Sequence, residues 1–173
     1  MARLARGYGQ LARNAMPIGR QEMLEALGTT PDRFQSLVDG LTTDQLARRP
    51  KEGEWSIAEI LNHLLVGERD VILPRLQRML LEEAPRFPSS ATSRTGFAAE
   101  PNPRGLRADL TAFRHVRNQT VGLLGRLGEH DWQRIGTTPT RGTLTIEDYV
   151  RYLANHDHEH LEQLQTLRSV VAH

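Results

Sequence analysis

Four stretches of this chain repeat apolar residues at three- and four-residue steps, and the segments between them are rich in Pro, Gly, Ser and Thr. That spacing follows the 3.6-residue turn of an α-helix, so each stretch carries one apolar face that needs the others to cover it. The pattern predicts an all-α fold, an antiparallel four-helix bundle with long inter-helix loops and no β-sheet. A first helix is expected from about Gln21 to Leu41, where Met23, Leu24, Leu27, Phe34, Leu37 and Val38 form the apolar face and Pro31 predicts a kink or break. A second begins at Ile57 behind Ser56, which forms a capping box with Glu59, and runs to about Leu81 with a bend at Pro74. A third covers roughly Leu106 to Leu127, with Leu110, Phe113, Val116, Val121 and Leu124 inward and Gly122, Gly125 and Gly128 weakening its last turns. The fourth runs from about Ile146 to Val170, capped by Thr145 with Asp148 three residues on.

A chain of 173 residues is enough for one domain with a sizeable core. Residues 17–173 are assigned to it, and residues 1–16, which show no core pattern, to an N-terminal arm. Twenty-two Lys and Arg against 21 Asp and Glu leave a formal charge of +1, so bulk charge implies neither nucleic acid nor an acidic membrane as partner. Scattered Arg residues such as those in LARRPK read as a solvated face. There is no cysteine, which excludes disulfides, thiolate metal ligands and a cysteine nucleophile; thiol chemistry would need an external thiol. No apolar run approaches the roughly 18 residues of a membrane span and the basic start lacks the apolar stretch of a signal peptide, so a cytoplasmic location is expected. Neither a Gly-x-Ser-x-Gly turn nor a Gly-rich phosphate loop is present.

Chemistry concentrates in YLANHDHEHLEQL. On a helix His156 and His160 lie about 40° apart in projection and about 6 Å apart along the axis, on the face of Tyr149, Leu153, Leu164 and Leu167, whereas His158 projects to the solvent side. Glu159 and Gln163 flank that inward face. Two imidazoles do not complete a metal site, and WSIAEILNHLL of the second helix offers a third in His63, at the edge of its apolar stripe. One His from one helix and an i, i+4 pair from another can close a three-nitrogen face with positions left open. The competing reading has His156 and His160 buried and satisfied by Glu or Tyr partners, with the HDHEH density only a solvated helix face. The residues alone leave both open.

EWSIAEILNHLLVGERD and DWQRIGTTPTRGTLTIEDYVRYLANHDHEHLEQLQ, in that order and at that separation, resemble the DinB-like (YfiT-like) superfamily of four-helix-bundle metalloenzymes. The resemblance spans about residues 20–170 and includes the W-x-R-x-G connector and the Gly-x-x-Thr helix entry. In that superfamily a WSxxExxxHL segment and an HDxxHLxQ segment supply three metal-binding histidines, which implies His63, His156 and His160 as ligands and puts His158 at a variable position. Some members are thiol-dependent S-transferases, so the resemblance implies a metalloenzyme without fixing its reaction.

The expected function is that of a metal-dependent transferase or hydrolase in which a divalent ion, Zn²⁺ most simply and Ni²⁺ or Fe²⁺ as alternatives, acts as a Lewis acid on water or on a low-molecular-weight thiol. Glu59 and Gln163 are the candidate catalytic residues, although the capping box already accounts for Glu59. Asp157 is expected in a structural ion pair, Trp55 in packing, Tyr149 and Tyr152 in the core, and His115, His130 and His173 on the surface. The long loop between the second and third helices is expected to cover or border the metal end. The alternative function is a non-catalytic, metal-stabilised bundle that dimerises through an apolar helix face. A small-molecule substrate and a homodimer are the expected partners.

Overall fold

The computed structural model describes residues 19–89 and 105–172; the arm at 1–16, most of the long loop and His173 lie outside them. In chain order the elements are α1 (Arg20–Val38), a short α2 (Thr43–Ala47), α3 (Ile57–Gly67), a π-helical turn (Glu68–Ile72), α4 (Leu73–Leu81), α5 (Leu106–Leu124), a short α6 (Glu129–Trp132), strands β1 (Ile135–Thr138) and β2 (Gly142–Thr145), and α7 (Ile146–Val171). The α3, π and α4 segments follow one another without a break and make the second long helix. No helix among the described residues is long and apolar enough to cross a membrane.

The capping expectations hold. Ser56 Oγ accepts the Glu59 N–H while the Glu59 carboxylate accepts the Ser56 N–H, and Thr145 and Asp148 repeat the exchange at the start of α7. Pro31 does not break α1. A proline at this position leaves the carbonyl four residues earlier, that of Leu27, without its helical donor, and Arg117 Nη1 donates to that oxygen from α5 at 3.3 Å. Pro74 is accommodated at the entry to α4, directly after the π turn, where the Leu73 N–H reaches back to the Glu68 carbonyl.

Helix directions follow from cross-helix contacts. Arg20 of α1 pairs with Glu147 of α7, and at the other ends Arg168 of α7 donates to the carbonyls of Leu37 and Asp39, so α1 and α7 run together. Arg117 of α5 meets Glu68, and Leu106 and Leu110 pack with Leu61 and Leu65, so α5 runs with the α3–α4 rod and against the other two helices. Leu81 and Leu106 therefore stand at opposite ends of the bundle, which is why their connection is long. Two clusters fill the core. One gathers Phe34, Ile57, Leu61, Leu110, Phe113 and Leu164; the other gathers Met23, Leu27, Leu76, Leu124, Trp132, Ile146 and Leu153.

One expectation is corrected: the bundle is not free of β-sheet, because residues 135–145 form a two-stranded antiparallel ribbon, with Ile135 opposite Thr145 and Thr138 opposite Gly142. Its run of Ile and Thr residues favours extended backbone, and Gly142 supplies the positive φ of 70° that closes the turn. The ribbon lies against the end of α4: Gly136 sits so close to Phe87 and Met79 that a Cβ there would come within 2.7 Å of the Phe87 ring. Arg86 and Thr137 form a further parallel bridge, so the described start of the long loop seats on the ribbon. The remainder of that loop, expected beside the histidines, falls outside the described residues.

Candidate metal centre

His63 sits in the second turn of α3, and His156 and His160 lie in the middle of α7. The structure brings these three together, each offering a nitrogen within 4.8 Å of the others. His63 Nε2 is 3.4 Å from His156 Nε2, which is 3.2 Å from His160 Nε2. Two nitrogens bound to one zinc ion at 2.0–2.1 Å with near-tetrahedral angles would stand about 3.3 Å apart, so the spacing fits a shared ion. The donor chemistry agrees, since these are buried or half-buried imidazoles and only neutral imidazole coordinates. Burial pushes the His63 imidazole down to about 4, with His160 adding to the effect. Burial, then His160 and His63, holds His156 well below the ordinary range. His160 is also lowered by burial, opposed by its hydrogen bond to Gln163 and by Asp157.

The surroundings orient the rings. Gln163 Oε1 lies 3.0 Å from His160 Nδ1, so with the amide oxygen accepting, that imidazole carries its proton on Nδ1 and turns Nε2 toward the other two. Trp55, expected to pack, does so and also meets the His63 ring at 5.0 Å between centroids. Tyr152 lies 5.6 Å from the His156 ring. The buried Nδ1 of His156 has no hydrogen-bond partner among the described residues. His158 is exposed and faces Glu162 across one turn, and His115 and His130 are exposed.

Beneath the histidines lies an ionic cluster that the sequence reading missed in part. Arg117, fully buried, donates to both oxygens of Glu68 at 2.9 and 3.0 Å and to both oxygens of Asp157, and its guanidinium lies 4.9 Å from the Phe113 ring. The Asp157 ion pair was expected; its partner was not named. Arg117 shares a helix face with Phe113, Val116, Thr120 and Leu124, and an arginine within an apolar stripe is the signal that would have found it. Glu59 is committed elsewhere, its carboxylate taken by Ser56 N–H and by Arg49. Among the carboxylates beside the site, Asp157 is likewise engaged, while half-buried Glu159 has its carboxyl raised by burial.

The chain is similar to known proteins over most of its length. The family model of the DinB superfamily matches residues 26–164. An uncharacterised protein of Bacillus subtilis, YuaE, is 24% identical over 149 residues, covering 76% of this chain and 88% of the relative. OB0413 of Oceanobacillus iheyensis, provisionally named a metal-dependent hydrolase, is 23% identical over 145 residues, 83% of this chain and 82% of its own length. The solved structure of Bacillus subtilis YfiT, described as a probable metal-dependent hydrolase with an unusual four-helix-bundle topology, superposes with a TM-score of 0.76 at 19% identity, over 88% of this chain and 89% of that one.

Proposed function

The chain belongs to the DinB superfamily, and on that premise we propose that it is a metal-dependent enzyme for small molecules in which His63, His156 and His160 hold a divalent ion. The observation that carries the reading is the convergence of the three Nε2 atoms at a spacing matched to one ion. When bound there, such an ion supplies Lewis acidity, lowering the pKa of a water or thiol enough for it to act as nucleophile near neutral pH. A three-nitrogen donor set leaves room for that nucleophile, which a closed four-ligand structural site would not. The family names of the relatives point to hydrolysis.

The protein's own groups divide the work. Gln163 fixes the His160 tautomer, and Trp55 and Tyr152 wall the histidines on two sides. Activating water also requires a proton acceptor. With Glu59 and Asp157 engaged by arginines, Glu159 is, among the described residues, the carboxylate beside the site left for that role, and its raised pKa suits it. A low-molecular-weight thiol needs less help, because its pKa starts lower, so thiol transfer to an electrophile is the second reading.

The test is elemental analysis of untagged protein, then a panel of hydrolase substrates and of electrophiles with external thiol, with and without chelator. Turnover without thiol that falls in Glu159→Gln selects hydrolysis. Turnover that requires thiol and survives Glu159→Gln selects transfer. Protein that retains no divalent metal after dialysis against it ends both.

A further inference from the structure

Arg141 stands at the tip of the β1–β2 ribbon, in a loop of Pro139, Thr140 and Arg141 between the paired residues Thr138 and Gly142. The tip is held in shape: the Arg141 N–H donates to the hydroxyl of buried Thr138 at 3.1 Å, and Gly142 takes the left-handed conformation that turns the chain back. At the other end Gly136 packs against Phe87 and Met79, and β2 runs directly into α7 at Thr145. The Arg141 guanidinium carbon lies 3.5 Å from the centre of the Tyr152 ring of that helix. Tyr152 in turn faces His156 at 5.6 Å, so the cation lies no farther from that imidazole than these two spacings end to end.

Among the described residues the Arg141 side chain has the tyrosine face as its neighbour and no carboxylate within ion-pair distance, unlike Arg20, Arg78, Arg114 and Arg117, which all have acidic partners. An exposed arginine is ordinarily a solvated one. Here a rigid turn and an aromatic platform hold its planar fork of donors beside the three-histidine face, which is the arrangement that reads a carboxylate. The geometry points to Arg141 as the anion-binding residue of the site, receiving the carboxylate of a small-molecule ligand whose other end occupies the three-histidine face.

This inference rests on the metal reading above, and the experiment separates the two. The full chain is loaded with Co²⁺ and titrated with 3-mercaptopropionate and with its neutral counterpart 3-mercapto-1-propanol, following the near-ultraviolet band that a thiol ligand gives on cobalt. Wild type is expected to bind the carboxylate probe roughly 10-fold or more tightly than the alcohol, as a charge-assisted contact would give. Arg141→Gln should abolish that preference while leaving cobalt content and alcohol affinity unchanged, and Arg141→Lys should restore part of it. Equal affinities for the two probes in loaded wild type, or a preference that survives Arg141→Gln, would overturn the role of Arg141 and leave the metal site standing. Failure of wild type to take up cobalt at all would sink the metal reading and this inference with it.

Discussion

The three histidines of HDHEH differ in environment more than in chemistry. His160 is 7% exposed and bonded to Gln163, while His158 points into solvent, facing Glu162. Replacing His158 with Ala should therefore leave metal content intact, and His160→Ala should empty the site. With it should go the metal-linked stabilisation, about 2.7 kcal/mol at a free-ion concentration 100 times the dissociation constant; thermal melts with and without chelator measure the difference. Equal losses in the two variants would mean loose binding at the helix surface. Gln163→Ala frees the His160 ring to turn without removing a donor, so metal affinity should fall roughly 10-fold or more with the fold retained. Quenching of Trp55, in contact with His63, gives the titration signal.

At the scale of elements, the ribbon determines what borders the histidines. Its seat depends on Gly136, where an added Cβ would meet Phe87 at 2.7 Å and the Met79 side chain at 3.0 Å. Gly136→Ala should cost about 1–3 kcal/mol by urea denaturation, as overpacking does, and should weaken ligand binding near Arg141 more than metal binding, because the ribbon holds Arg141 and none of the three histidines. A second dependence joins helices. Arg117 satisfies both the Leu27 carbonyl freed by Pro31 and the carboxylates of Glu68 and Asp157, so one side chain ties α1, the π turn, α5 and α7. Arg117→Ala leaves the buried carboxylates of Glu68 and Asp157 without their counter-charge and should destabilise by about 3–5 kcal/mol in equilibrium unfolding; a cost below 1 kcal/mol would show that the cluster is dispensable.

For the whole molecule, three imidazoles kept neutral by burial couple stability to pH. In the unfolded chain they titrate near 6.5; in the folded chain His63 titrates at about 4, and His156 and His160 are also lowered. As pH falls through 6.5 toward 4 the unfolded state takes up protons that the folded state does not, so stability declines across that window and is fully present above it. Chelator-treated protein should show this as a falling Tm between pH 7 and 4. The His63→Leu, His156→Leu, His160→Leu triple variant should show a shallower decline, and an equal slope in both would place the titration elsewhere.

The helices were legible in the sequence because apolar period, capping boxes and loop composition are local, and local geometry fixes each of them: Ser56 with Glu59 and Thr145 with Asp148 mark helix starts within a residue. The inward pair His156 and His160, and the outward His158, were legible for the same reason, since helical spacing alone sets their faces. That His63 joins them was indicated by the family resemblance and realised by packing. What no local pattern contains is which distant groups meet. Arg117 with Asp157 and Glu68, the rescue of Leu27 by that same arginine, the parallel run of α5 beside the α3–α4 rod, and the ribbon that carries Arg141 to Tyr152 all depend on contacts between residues far apart in the chain. Period and propensity say which face an element buries, whereas its partner is chosen only when several faces must be covered at once and every buried charge must find its counterpart.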